Sequence, residues 1–226
     1  MPATRAALSP TSRTSVSRGA NRAVTDREHL HRLLAGGLVA HLGVTVGVHP
    51  VVLPTAYGFD LAGPDEGGSL YLHGSVAAGW LEAALRADVC VTITELDGLV
   101  AARSGFHHSM NYRSAVVIGR PRRVEDHAER RRALDLVVDQ MIPGRAATLR
   151  EPTRKELAAT AVLALPLAEA SMKQRDGDPV DDPEDVRANI WGGVIPLRRT
   201  SPGARSAADS HDAVPADVCA RAADFA

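Results

Sequence analysis

Two stretches concentrate groups able to hold an anionic, hydrogen-bonding ligand. Tyr71-Leu72-His73-Gly74-Ser75 closes an apolar run just before a helical pattern. There, free backbone N–H groups, a glycine and a serine hydroxyl can converge on a phosphate. A helix-capping role for Ser75 and a packing role for His73 are the plainer alternatives from spacing alone. The second stretch, Ala101 to Ser114, gathers polar side chains before another apolar run. Arg113 can pair with a phosphate or carbonyl, and Asn111 and Tyr112 can line a ring, a solvated loop being the alternative. His107-His108 lack the Cys/His spacing of a zinc site, and His73, His107, His108 and Asp97 are poorly spaced for a metal hydrolase. Neither a GxGxxG nor a GxxxxGK[ST] pattern occurs, so phosphate binding by those routes is unsupported.

The elements that would position these groups follow from periodicity. Thr25 and Glu28 have capping-box spacing, with Leu30, Leu33 and Leu34 behind them, which predicts a short helix ending at Gly36-Gly37. Leu38–Val46, Val51–Phe59 and Ser69–Leu72 read as strands of a meander. A helix over Val76–Ala87 crosses to a strand at Val89–Thr94, and a long polar loop from Glu95 to Asn111 leads to a strand at Ala115–Gly119. Asp126 and Glu129 open a second amphipathic helix that Pro143-Gly144 ends, and Thr153 and Glu156 cap a shorter one. Ala161–Leu167 returns to strand character, Asp176-Gly177 turns the chain, and an acidic loop from Asp178 to Asp185 precedes Trp191–Leu197. About six strands with one crossing helix favour an antiparallel barrel with peripheral helices over a doubly wound parallel sheet.

Composition narrows the partners. The 226 residues carry a formal net charge of -1, so no global positive field is available for nucleic acid or an anionic membrane. Aromatic residues, at 4%, are too few for a stacking surface. No run approaches the roughly 20 apolar residues that span a bilayer. Cys90 and Cys219 lie far apart, which argues against a disulfide framework and is compatible with a cytoplasmic protein. Residues 1–22, rich in Arg, Ser, Thr and Ala without an acid, formally fit a transit peptide, although a disordered, solvated arm is the blander reading. Residues 23–197 read as one domain and residues 198–226 as a disordered tail.

Resemblance adds what spacing leaves open. Pro54-Thr55-Ala56-Tyr57, Tyr71–Ser75, Thr94–Ser104 and His107–Ser114, in that order, resemble the signature of the pyridoxamine 5'-phosphate oxidase-like flavin-nucleotide-binding family, in the branch that includes nitroimidazole-resistance proteins. Ala170–Gly177 and Trp191–Leu197 resemble its closing strand and its Trp-Gly-Val-Pro-Leu end. The resemblance implies a mainly β (α+β), six-stranded antiparallel split barrel that forms a homodimer around FMN, with the deazaflavin F420 or haem as alternatives. It implies that Pro54, Thr55 and Ala56 present backbone groups to the isoalloxazine edge. His73, Gly74 and Ser75 would approach the phosphate side, and Ser109, Asn111, Tyr112, Arg113 and Ser114 would close the site. Lys173, Arg175 and Trp191 match positions near the cleft, and His73 matches a position beside the reactive centre.

One departure bears on the phosphate. Relatives commonly follow His-Gly-Ser with a Ser-Arg or Arg-Lys pair that grips phosphate, whereas this chain has Val76-Ala77-Ala78-Gly79. A lost charge-assisted contact costs about 1.5–3 kcal/mol, for which Arg113, Arg86 or Lys173 could compensate. The expected function is therefore an FMN-dependent oxidoreductase acting on a small molecule, of pyridoxamine-phosphate-oxidase or nitroreductase type. The alternative is a non-catalytic flavin- or haem-binding module for storage or sensing.

Overall fold

A computed structural model of the chain describes residues 7–226. The architecture is mixed α+β, mainly antiparallel sheet with peripheral helices. Two compact units, each discontinuous in sequence, make it up: 1–37, 92–117 and 169–198 in the first, and 38–91, 118–168 and 199–226 in the second.

In the first unit β1 (Ala23–Val24) pairs with β10 (Ala170–Arg175), which pairs with β7 (Ser109–Gly119). Next to β7 lies β6 (Val89–Ala101), which also carries β11 (Gly193–Pro196) from Gly98 onward. Alternate side chains of a strand point to opposite faces, and Asn111, Ala115 and Val117 are accordingly buried while Tyr112, Ser114 and Val116 are not. The long loop expected from Glu95 to Asn111 is instead most of a hairpin, with only residues 102–108 outside the strands. Its charges are matched across the ladder, Asp97 accepting from Arg113, so polar composition does not end the strand.

Helix α1 (Arg27–Gly36) buries Leu30, Leu33 and Leu34, but its cap is Asp26 rather than Thr25, the carboxylate accepting from Glu28 N at 2.9 Å. The arm expected to be disordered is held down where it is described; residues 1–6 lie outside the described residues. Leu8 and Thr14 are buried, and Leu8 N and Ser9 N donate to the carbonyls of Thr25 and Ala170 at 3.0 and 2.8 Å. Glu169 accepts from Thr11 Oγ1 at 2.5 Å and pairs with Arg13. Glu169 lies 158 residues beyond Thr11, outside any local composition signal. Within the expected acidic loop, Pro183 opens a short helix, α5 (Pro183–Arg187), as its fixed φ and missing N–H favour.

In the second unit β2 (Ala40–Val46) and β3 (His49–Thr55) form a hairpin through Gly47, whose φ of 63° is the left-handed conformation that glycine adopts without penalty. The run expected as one strand from Val51 to Phe59 breaks at Ala56, and β4 (Tyr57–Asp60) joins a second sheet with β5 (Ser69–Ser75), β9 (Thr160–Pro166) and β8 (Arg122–Arg123). Tyr71, Val124, Ala133, Val162 and Ala164 form the core beneath it. Helix α2 (Gly79–Arg86) starts three residues later than expected. Helix α3 (His127–Met141) is capped by Asp126 and packs on β4, β5 and β9. Its backbone comes so close to Gly58 that a Cβ there would lie 2.8 Å from Val137 N. Helix α4 (Arg154–Ala159) carries the expected Thr153/Glu156 capping box.

The tail expected to be disordered contains α6 (Ala216–Ala223). Arg221 donates to the Met141 carbonyl at 2.8 Å and stacks on Phe225 at 4.7 Å from the ring centroid. Helix α3 has no basic residue in its last turn, so Arg221 supplies the cation that its terminal carbonyls attract. No helix among the described residues is long and apolar enough to cross a membrane.

Candidate functional site

The second unit brings two of the expected site segments together. Tyr57 pairs with Leu72 at the end of the β4–β5 ladder, so the next position on each strand is Ala56 and His73. His73, Gly74 and Ser75 remain paired with β9, to Val162, Ala161 and Thr160, but they extend beyond β4. Pro54 and Thr55 end the neighbouring β3, and the Thr55 hydroxyl donates to the Ala56 carbonyl at 3.0 Å. Ser75 Oγ accepts from Ala77 N at 3.2 Å, shaping the turn before α2 rather than capping the helix. Helix α2 has no side-chain cap. Arg86, one of the possible replacement cations, is exposed and 3.7 Å from Glu82.

His73 is half-buried, and its Nδ1 is shielded from solvent with no hydrogen-bond partner among the described residues. Burial disfavours the charged ring and holds its pKa below 6.5. A neutral imidazole with an orphaned nitrogen fits a metal ion or a ligand hydroxyl. The same shift predicts a pH dependence. The unfolded chain, titrating near 6.5, takes up the proton first, so this contribution is intact above that pH and is lost as pH falls below it. The melting temperature should therefore drop below pH 6.5 with a slope that His73→Asn reduces; an unchanged slope would absolve His73.

The first unit divides the remaining expected residues between two faces of one sheet. Tyr112 and Ser114 share a face of β7, and the register Ser114↔Lys173 adds Lys173 and Ser171 from β10. These residues and arm residues 13–18 line a groove of 450 Å³. Lys173 Nζ donates to the Arg18 carbonyl at 2.9 Å, and Ser114 shares a 2.8 Å hydrogen bond with Thr94. Arg113 lies on the opposite face, as a two-residue repeat requires. Its guanidinium holds both Asp97 oxygens at 2.9 and 2.7 Å, and this pairing raises its pKa. Arg113 therefore does not stand in as a free phosphate cation. Asn111 is buried and donates to the Gly177 carbonyl at 3.1 Å. Arg175 clamps the same turn through Asn111 Oδ1, Gly177 O and Asp178 O.

Ser109 borders a second depression, of 580 Å³, with His107, His108 and Arg175. Trp191 is 68% exposed, and its ring lies over Gly193, where a Cβ would meet it at 2.9 Å. His108 Nδ1 lies 2.9 Å from the Ser104 carbonyl and Asp97 is committed to Arg113, so two members of the hydrolase set are engaged elsewhere. His107, Asp182 and Asp185 place possible ligand atoms within 4.8 Å of one another.

Over residues 26–174 the sequence matches the family described as pyridoxamine 5'-phosphate oxidase. The chain belongs to the pyridoxamine 5'-phosphate oxidase-like family. No curated protein matches it. Among solved structures, the flavocytochrome Anf3 from Azotobacter vinelandii is 35% identical, with a TM-score of 0.86 over 97% of this chain and 99% of that one. The FAD- and haem-binding protein from Mycobacterium smegmatis is 39% identical, with a TM-score of 0.79 over 87% of this chain and 95% of that one. A candidate 5-nitroimidazole antibiotic resistance protein from Bacteroides thetaiotaomicron, 22% identical with a TM-score of 0.54 over 67% and 85%, shares the fold alone.

Membership in this flavin-binding family bears out the split-barrel fold read from the ordered motifs. Sequence reasoning missed the contribution of the arm, because Arg13 to Arg18 have no motif and reach the sheet only through tertiary contacts. It also missed Asp181, whose side chain is 1% exposed and pairs with Arg103 at 2.8 Å; the acidic run after Asp176-Gly177 was the available signal.

A further prediction concerns the family's His-Gly-Ser segment. A Cβ on Gly74 would come within 2.5 Å of the Trp80 ring. Gly74→Ala should displace that indole at a cost of about 1–3 kcal/mol and shift its fluorescence emission, which is separable from Trp191 in a Trp191→Phe background. An unmoved spectrum with unchanged stability would show that the contact yields freely.

Proposed function

We propose that this chain is a flavin- and haem-binding protein of the flavocytochrome type, with FAD in place of the FMN expected from the family motifs. The observation that carries the reading is its 35% and 39% identity to a flavocytochrome and to an FAD- and haem-binding protein. The likeness to the former spans 97% of this chain, arm and tail included. The first alternative read from the sequence, a flavin or haem module, is thus better supported than an FMN-dependent oxidoreductase.

The chain's own chemistry fits. His73 offers a neutral imidazole with an unpartnered buried nitrogen, the form in which histidine ligates iron. Ala56 and His73 are successive register positions at the end of a ladder, where backbone groups beyond β4 are available to a flavin edge. A bound flavin would supply two-electron redox chemistry and a haem one-electron chemistry, the protein contributing orientation and electrostatics. A homodimer remains part of the proposal, supported by the adjacent exposed Leu99 and Ile195 on β6 and β11, and sedimentation velocity would check it.

The test is the visible spectrum of the purified protein before and after adding FAD and haemin, with the extracted cofactors identified by mass. Flavin bands from FAD together with a Soret band are expected. FMN alone, with no change on adding haemin, would return the reading to an FMN oxidoreductase. A protein that stays colourless after both additions would defeat either.

A further inference from the structure

We propose that the groove between the N-terminal arm and the β7–β10 sheet receives an adenosine diphosphate group, namely that of FAD; the inference rests on the flavin reading above. The groove, of 450 Å³, lies within the range of small-molecule sites, and its lining is basic and hydroxylated. Three cations border it. Arg13 is neutralised by Glu169. Arg18 and Lys173 have no carboxylate partner among the described residues. Lys173 spends one of its three N–H donors on the Arg18 carbonyl at 2.9 Å, which leaves two for a ligand and ties the strand to the arm.

Around these two charges stand Ser15 and Ser17 from the arm, Ser114 from β7 and the ring of Tyr112. Two cations and several hydroxyls suit the two negative phosphates of a diphosphate, and one aromatic ring suits stacking by a purine. FMN, with a single phosphate and no second ring system, would leave much of this lining unused. The arm therefore acts as one wall of a binding site rather than as a solvated leader. The same chemistry also fits a free adenine nucleotide, so the test separates the two sources.

Dissociation constants for FAD, FMN and ADP would be measured by calorimetry on the full chain and on an Arg18→Ala/Lys173→Met variant. Ser171→Glu, which places a carboxylate in the groove without removing the Lys173–arm bond, serves as an independent second variant; circular dichroism checks both for folding. The wild type should bind FAD at least tenfold more tightly than FMN. ADP should compete with FAD. Each lost cation should weaken FAD and ADP by roughly tenfold, leaving FMN unchanged. Equal affinities for FAD and FMN, unmoved in either variant, together with no binding of ADP, would overturn the groove while leaving a flavin site intact. Binding of ADP that both variants weaken, in a protein that takes up no flavin, would instead remove the flavin reading and overturn FAD as the source, assigning the groove to a free nucleotide.

Discussion

A His73→Ala protein is expected to lose its Soret band and to keep its flavin. Haem iron needs a neutral imidazole, and burial already keeps the His73 ring neutral at pH 7. Two other histidines are engaged elsewhere: His107 lies 3.3 Å from Asp182 and His108 2.9 Å from the Ser104 carbonyl. Since changing even an outer-shell partner costs a metal site 10–100-fold, loss of a ligand should weaken haem by roughly a hundredfold or more. The substitution leaves no buried charge behind, so the fold should survive. Added imidazole should restore part of the absorbance by filling the vacated position. A Soret band of undiminished intensity in His73→Ala would move the iron ligand elsewhere. Joint loss of flavin and haem, without rescue, would make His73 a residue of the shared architecture.

The order of motifs made the family legible, because each segment combines residue types that a split barrel needs at a strand end. Local signals were less exact. Thr25 and Asp26 are both good caps, and only the backbone decides that Asp26 faces Glu28 N. The polar stretch from Glu95 to Asn111 looked like a loop because composition cannot reveal that Asp97 and Arg113 neutralise each other across two strands. Asn111 through Ser114 were read as a continuous site, yet the pleat divides them, leaving Tyr112 and Ser114 on the groove and Arg113 behind it. The resemblance groups Ala56 with His73, and the β4–β5 register sets them opposite each other just beyond the end of that ladder. The arm and tail were opaque because their partners, Glu169 and the carboxyl end of α3, are remote in sequence.

Loss of Arg122 should be the most damaging change to stability, and through it to the strand that carries His73. This guanidinium holds Asp65 at 2.8 and 2.9 Å and Glu129 at 3.0 Å. Glu129 also accepts from the Tyr71 hydroxyl at 3.0 Å, and Asp65 from Ser69 at 2.6 Å, so the loop after β4, strand β5, β8 and the first turn of α3 share one network. Burial pushes the Tyr71 hydroxyl up to about 12, with Glu129 adding to it. Burial alone would raise the pKa of Asp65, but Arg122 and Ser69 outweigh it and hold the carboxylate below 3.8. The Asp65 and Glu129 side chains are only 10% and 15% exposed. Arg122→Leu would strand both charges, at a cost of about 3 kcal/mol, toward the lower end for a buried pair because Arg122 itself reaches solvent. The sign with pH distinguishes this from simple loss of packing. In the wild type the Asp65 contribution is present above pH 3.8 and lost as pH falls through its depressed folded value. In the variant burial raises the Asp65 carboxylate with no guanidinium to oppose it, so protonation relieves it and the stability gap narrows toward pH 4. Urea unfolding at pH 7 and pH 4 reads both terms. Equal stability at pH 7 would show that water replaces the guanidinium without loss, whereas a gap independent of pH would assign the damage to packing rather than to charge.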